Sequence, residues 1–125
     1  MKVLVVDDFA TMRKIIKNVL KQIEIEDVLE AESGKHALSV LKGDDAVDLI
    51  ISDWIMPEMT GIEFLKACKS DDAFKGIPFI MVTAEAQKDN IMEAIKSGVD
   101  NYIVKPFTPD KLKDAIDKAR ARAGK

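Results

Sequence analysis

The chain has 125 residues, 47% of them hydrophobic, with 19 basic against 22 acidic side chains and a formal net charge of -3. That length suits one ordinary domain with a core of useful size, and the mild acidity argues against broad nucleic-acid binding, which usually needs a strongly basic surface. The first apolar run stops at Asp7 and Asp8, no apolar stretch approaches the ~20 residues of a membrane span, and the single cysteine, Cys68, fits a reducing cytoplasm.

Val3 to Val6 is a short continuous apolar run rich in β-branched residues, which predicts a buried strand. Met12, Ile15, Ile16, Val19, Leu20 and Ile23 then recur on one face of a helix. Asp27 to Ala31 reads as a weaker strand. Ala37, Leu38 and Leu41 mark a second helix that ends near Gly43. Val47 to Ser52 is a third strand, and Gly61 to Lys69 a helix with Ile62, Leu65 and Cys68 as its stripe. Phe79 to Thr83 is a fourth strand. Ala86 to Ser97 is a helix, with Gly98 placed to close it. Asn101 to Lys105 is a fifth strand, and Thr108 followed by Pro109 opens the last helix. The basic residues of that helix (Lys111, Lys113, Lys118, Arg120, Arg122) read as a solvated face, and His36 as an exposed helix residue. The scattered methionines Met12, Met56, Met59, Met81 and Met92 read as core and rim filling.

Strand and helix alternate five times, which predicts an open, doubly wound α/β sheet of parallel strands with helices on both faces, in one domain spanning 1–125. Ligands of such sheets bind outside the carboxyl ends of the strands. There the chain places Asp7 and Asp8 after the first strand, Asp53 after the third, Thr83 on the fourth and Lys105 on the fifth. Three carboxylates brought together repel unless a cation lies among them. Oxygen donors without histidine or thiolate point to Mg²⁺ or Mn²⁺. A divalent ion with a spare position invites a phosphoryl group, with Lys105 and Thr83 to receive its other oxygens and a carboxylate as nucleophile.

The stretches LVVDD (4–8), SDWIMPEMTG (52–61), MVTAEA (81–86) and KPF (105–107) resemble those of bacterial two-component response-regulator receiver domains, over essentially the whole chain. The likeness is greatest to the family's stand-alone chemotaxis regulators, through DDFATMRKIIKN (7–18) and YIVKPFT (102–108). The resemblance implies a flavodoxin-like strand order of 2-1-3-4-5, which periodicity alone leaves open. It implies that Asp53 is the phosphoacceptor, that Asp8, Asp53 and the backbone carbonyl of Ile55 hold Mg²⁺, and that Asp7 acts through a bound water. Thr83 and Lys105 would contact the phosphoryl group. The implied partners are a histidine kinase, the flagellar motor switch protein and, where one exists, a phosphatase. Such a domain is a signalling protein, catalysing only its own phosphorylation and dephosphorylation. Thr83 and Tyr102 would form the switch, and Ala86, Lys88, Ile91, Tyr102 and Val104 would lie on the partner face. One departure stands at Ala115, where the best-known chemotaxis pattern carries a lysine. With the chain consumed by the receiver, no output domain is expected, and the output would be docking.

Three other readings compete. A receiver acting as a phosphorelay intermediate, passing its phosphoryl group to a phosphotransfer histidine protein, shares every residue above. A flavin mononucleotide carrier would need a Ser/Thr/Gly-rich loop where this chain has DDFATM. A haloacid-dehalogenase-like phosphatase would place its nucleophile after the first strand in a D-x-D pattern. Ile55 stands where asparagine is frequent in the chemotaxis regulators, and its side chain is expected to shield the phosphoryl group and lengthen its life.

Overall fold

Strand β1 (Lys2–Val6) is followed by α1 (Ala10–Gln22), β2 (Asp27–Ala31), α2 (Gly34–Gly43), β3 (Leu49–Asp53) and α3 (Gly61–Lys69). The chain then forms β4 (Phe79–Thr83), α4 (Lys88–Lys96), β5 (Asn101–Val104) and α5 (Pro109–Arg122). This computed structural model describes residues 1–43, 46–84 and 88–124, with side chains for all of these except 88–90. The five strands make one sheet in the order β2-β1-β3-β4-β5, with every neighbouring pair parallel.

Burial on both faces explains why the central strands read as unbroken apolar runs. Alternate side chains feed two cores. Leu4, Val6, Ile50, Phe79 and Met81 pack with Ala37, Leu41, Phe64, Leu65 and Ala94 of α2 to α4. Val3, Val5, Leu49, Ile51, Ile80 and Val82 pack on the other face with Ile16 and Leu20 of α1 and Leu112, Ile116 and Ala119 of α5. The Phe64 and Phe79 rings meet at 5.4 Å in a tilted arrangement, and losing either ring would cost about 3–5 kcal/mol.

The helix ends follow local chemistry. Thr60 and Glu63 form a reciprocal capping box at the start of α3, and Thr108 Oγ1 accepts from Lys111 N–H ahead of Pro109 on α5. Gly98 sits at φ 95°, and Val99 N–H reaches back to the Ala94 carbonyl, which closes α4 as the glycine predicts.

Two strand boundaries differ from expectation. β3 starts at Leu49 rather than Val47 and takes in Asp53, because Trp54 N–H extends the β4 pairing to the Val82 carbonyl. β5 stops at Val104, before the cis Lys105–Pro106 peptide. α4 runs from Lys88 to Lys96, and Ala86, expected to open it, lies outside the described residues. Among the described residues no helix is long and apolar enough to cross a membrane.

Candidate functional site

Parallel strands deliver all their carboxyl ends to one edge. The chain leaves β1 toward β2 and later returns on the other side of β1 as β3, so the crevice of this sheet opens between β1 and β3. Asp7 and Asp8 follow β1 and Asp53 ends β3, with Thr83 at the end of β4 and Lys105 just past β5. The structure therefore brings together the five residues that the strand ends singled out.

One carboxylate oxygen from each of Asp7, Asp8 and Asp53 can be chosen so that all lie within 4.8 Å of one another. Lys105 is the counter-charge. Its Nζ donates to Asp53 Oδ1 at 3.2 Å and lies 3.8 Å from Asp7 Oδ2. Trp54 N–H also donates to Asp53 Oδ1, at 2.9 Å. Both donors use the same oxygen, so neither occupies Oδ2. Lys105 is itself held by its backbone N–H on the Thr83 carbonyl at 2.8 Å, which joins β5 to β4 at the site.

Asp7 is the buried member, 1% exposed. Its Oδ1 accepts Phe9 N–H at 2.9 Å, while its Oδ2 is buried without a hydrogen-bond donor. Burial pushes its carboxyl above the ordinary range; the Phe9 N–H opposes this, the Asp53 charge adds to it, Lys105 opposes and Asp8 adds. An orphaned carboxylate oxygen beside two further carboxylates, without a nitrogen or sulfur donor, fits a hard divalent cation that keeps water in its shell. Asp7, Asp8 and Asp53 can supply such a shell.

The flanking residues are unevenly placed. Ile55, two residues past Asp53, is 78% exposed. Trp54 is partly buried against the core on the α2–α3 face. Gly61 is required by close approach: a Cβ there would collide with the Asp53 carbonyl oxygen and lie 2.9 Å from Met81 Sδ and 3.0 Å from Trp54 Cα. The start of α3 thus presses directly on the backbone that carries Asp53.

On the candidate partner face Tyr102 is exposed, and Ile91 and Val104 are half-buried. Ala86 lies outside the described residues, as does the side chain of Lys88. Met92, expected as filling, is exposed beside Ile95 on α4. Ala115, where the chain departs from the chemotaxis pattern, is buried. It is 5% exposed because α5 turns Leu112, Ala115, Ile116 and Ala119 onto the sheet, and its carbonyl accepts from Asn101 Nδ2 at 3.1 Å. Sequence reasoning also passed over Arg13, whose Nη1 donates to the Asp7 carbonyl at 2.6 Å.

A response regulator receiver domain model matches residues 3–117. The chemotaxis protein CheY1 of Helicobacter pylori is 51% identical over 117 residues, covering 94% of each chain. The chemotaxis protein CheY of Pseudomonas aeruginosa is 48% identical over 118 residues, again covering 94% of each. Among solved structures, the chemotaxis protein CheY4 of Vibrio cholerae superposes with a TM-score of 0.86 at 35% identity, covering 94% of this chain and 97% of that one.

Proposed function

The chain belongs to the response regulator receiver domain family, and from that premise we propose that it is a chemotaxis response regulator phosphorylated on Asp53. The observation that carries the proposal is the Asp53 carboxylate at the sheet edge, with Lys105 at 3.2 Å on one oxygen and Asp7 and Asp8 beside it. Around half of all positions agree with proteins named for chemotaxis, which supports that branch of the family.

Asp8, Asp53 and the Ile55 backbone carbonyl would hold Mg²⁺, with Mn²⁺ as a substitute and Asp7 reaching it through water. When bound, the ion offsets carboxylate repulsion and neutralises charge on the transferring phosphoryl oxygens. An Asp53 carboxylate oxygen bonds to the phosphorus as the donor's P–N bond to the kinase histidine breaks and imidazole leaves, or as the P–O bond of a small acyl phosphate breaks and its carboxylate leaves, so that Asp53 becomes an aspartyl phosphate. Lys105 moves from the carboxylate to a phosphoryl oxygen, and the Thr83 hydroxyl donates to another. The new group carries about two negative charges and three acceptor oxygens.

Drawing Thr83 inward opens room for Tyr102, exposed in this structure, to turn toward the sheet. The face of α4, β5 and α5 is then altered for the flagellar motor switch protein. Met92 and Ile95 on α4 and Tyr102 on β5 are exposed. In this reading the chain acts as one cytoplasmic receiver domain, 1–125, by docking, and returns by its own hydrolysis or with a phosphatase.

The test is binding to a motor-switch peptide with and without a phosphoryl mimic such as beryllofluoride. Wild type should gain affinity and Asp53→Asn should not. A gain by Asp53→Asn would refute the acceptor assignment. A wild type indifferent to the mimic at the motor peptide, yet able to pass phosphoryl to a phosphotransfer histidine protein, would establish the phosphorelay reading instead.

A further inference from the structure

Arg13 leaves the first turn of α1 and runs back beneath the acidic turn. Its side chain is 15% exposed. One end of the guanidinium, Nη1, donates to the Asp7 carbonyl at 2.6 Å, and Nε donates to Glu30 Oε1 on β2 at 3.1 Å. The other oxygen of Glu30 is taken by Lys17 Nζ at 3.1 Å, one turn further along α1. Burial raises the Glu30 carboxyl, but the hydrogen bonds from Lys17 and Arg13 outweigh it and hold the group below the ordinary range. Glu30 is thus a charged anchor.

The peptide group is planar, so fixing a carbonyl oxygen also fixes the direction of the following N–H and Cα. Holding the Asp7 carbonyl therefore fixes the Asp8 Cα from which the carboxylate projects. The Asp7 amide is already tied to the Ala31 carbonyl at 3.1 Å, and Asp7 Oδ1 to Phe9 N–H. With Arg13 the turn is held from three directions. Only the two-ended guanidinium fork reaches both β2 and the turn.

We propose that Arg13, braced by Glu30, is a positioning residue that presets Asp7 and Asp8 for a divalent cation. The inference rests on the cation-site reading above and adds a residue to it. A purely electrostatic role predicts the opposite sign. A cation behind the carboxylates disfavours a second cation among them, so deleting its charge alone would tighten metal binding. Positioning predicts weakening. Supporting contacts of this kind typically carry about 10–100-fold in metal affinity, and a contact to a ligand residue's backbone belongs at the lower end, about tenfold.

The test is calorimetric titration of Mg²⁺ into wild type, Arg13→Ala, Arg13→Lys, Glu30→Gln and Asp8→Asn, with thermal unfolding of each in chelator. Wild type should bind one ion and Asp8→Asn should lose it. Arg13→Ala should bind about tenfold more weakly. Arg13→Lys should stay weakened because it keeps the charge but not the fork, and Glu30→Gln should shift the same way by less. Should Arg13→Ala be unfolded at the working temperature, Arg13→Lys and Glu30→Gln carry the comparison. A lower unfolding temperature with unchanged Mg²⁺ affinity would make Arg13 merely structural and overturn the proposal, as would tighter binding by Arg13→Ala. Absence of Mg²⁺ binding by wild type would overturn the cation-site reading itself.

Discussion

Replacing Asp7 by asparagine tests the charge geometry of the site without any phosphodonor. The Asp7 carboxylate is 1% exposed, within 4.8 Å of an oxygen on each of Asp8 and Asp53, and 3.8 Å from the Lys105 ammonium. At an effective dielectric constant of about 20, each like-charge pair at that limit costs ~3.5 kcal/mol, and the Lys105 attraction returns ~4.4 kcal/mol. The two repulsions exceed the attraction by ~2.5 kcal/mol before desolvation, which points the same way. The asparagine side chain would keep an oxygen for Phe9 N–H and remove the charge. The metal-free variant should therefore be more stable than wild type by about 2 kcal/mol, or roughly 8 °C in Tm. The pH dependence has a definite sign. The folded carboxyl lies above its ordinary 3.8, so the native state holds the proton more tightly than the unfolded chain. Wild-type stability should then fall as pH rises from 3.8 through the elevated value, and Asp7→Asn should lack that slope. Saturating Mg²⁺ should raise wild-type Tm more than that of the variant. Urea unfolding in chelator supplies the free energies. A variant equal to or less stable than wild type without metal would refute the reasoning.

Ile55→Asn should speed loss of the Asp53 phosphoryl group about fivefold, roughly 1 kcal/mol of barrier; equal or slower loss, followed by radiolabel decay, would remove the shielding role. Gly61→Ala should destabilise the fold by about 1–3 kcal/mol and slow Asp53 phosphorylation, because two of the three close contacts are backbone atoms of the acceptor segment; unchanged urea midpoint and rate would contradict the close approach. Lys69 Nζ meets Asp100 Oδ2 at 2.9 Å and the carbonyls of Lys75 and Ile77 at 3.3 Å. Lys69→Met would strand a carboxylate that is 8% exposed and should cost about 3 kcal/mol, partly restored by adding Asp100→Asn; a double variant no better than the single would count against a stranded charge. Burial pushes the Cys68 thiol up to about 12, so it should resist thiol-specific reagents in the native state at mildly alkaline pH and react once unfolded. Rapid native labelling would show that this part of α3 opens readily.

The strand ends were readable because an α/β sheet has a simple geometric rule. Once β1, β3, β4 and β5 are recognised as parallel, Asp7, Asp53, Thr83 and Lys105 must share an edge, whatever the loops do. Arg13 followed no such rule. Its sequence neighbours on α1 place it on a helix, but its meeting with the Asp7 carbonyl depends on how the acidic turn enters that helix. Gly61 was similar, since periodicity says nothing of how nearly α3 approaches Asp53. The burial of Ala115 was legible, because Leu112, Ala115, Ile116 and Ala119 form a helical stripe whose period predicts it. Met92 shows the converse, an apolar residue read as core or rim filling whose place on α4 is exposed.

The position of Lys105 across Asp53 and Asp7 has a thermodynamic corollary. In the proposed assembly, three carboxylates face one ammonium and one divalent ion, so the metal-loaded pocket is electrically balanced. Phosphorylation unsettles that neutrality toward the negative, and metal departure would unsettle it further. Ion and phosphoryl group are then linked ligands, and whatever factor the modification adds to metal affinity, the metal adds to the equilibrium for modification. Ambient Mg²⁺ thereby becomes a second input to the signal, able to alter the fraction of active molecules with no change in the kinase.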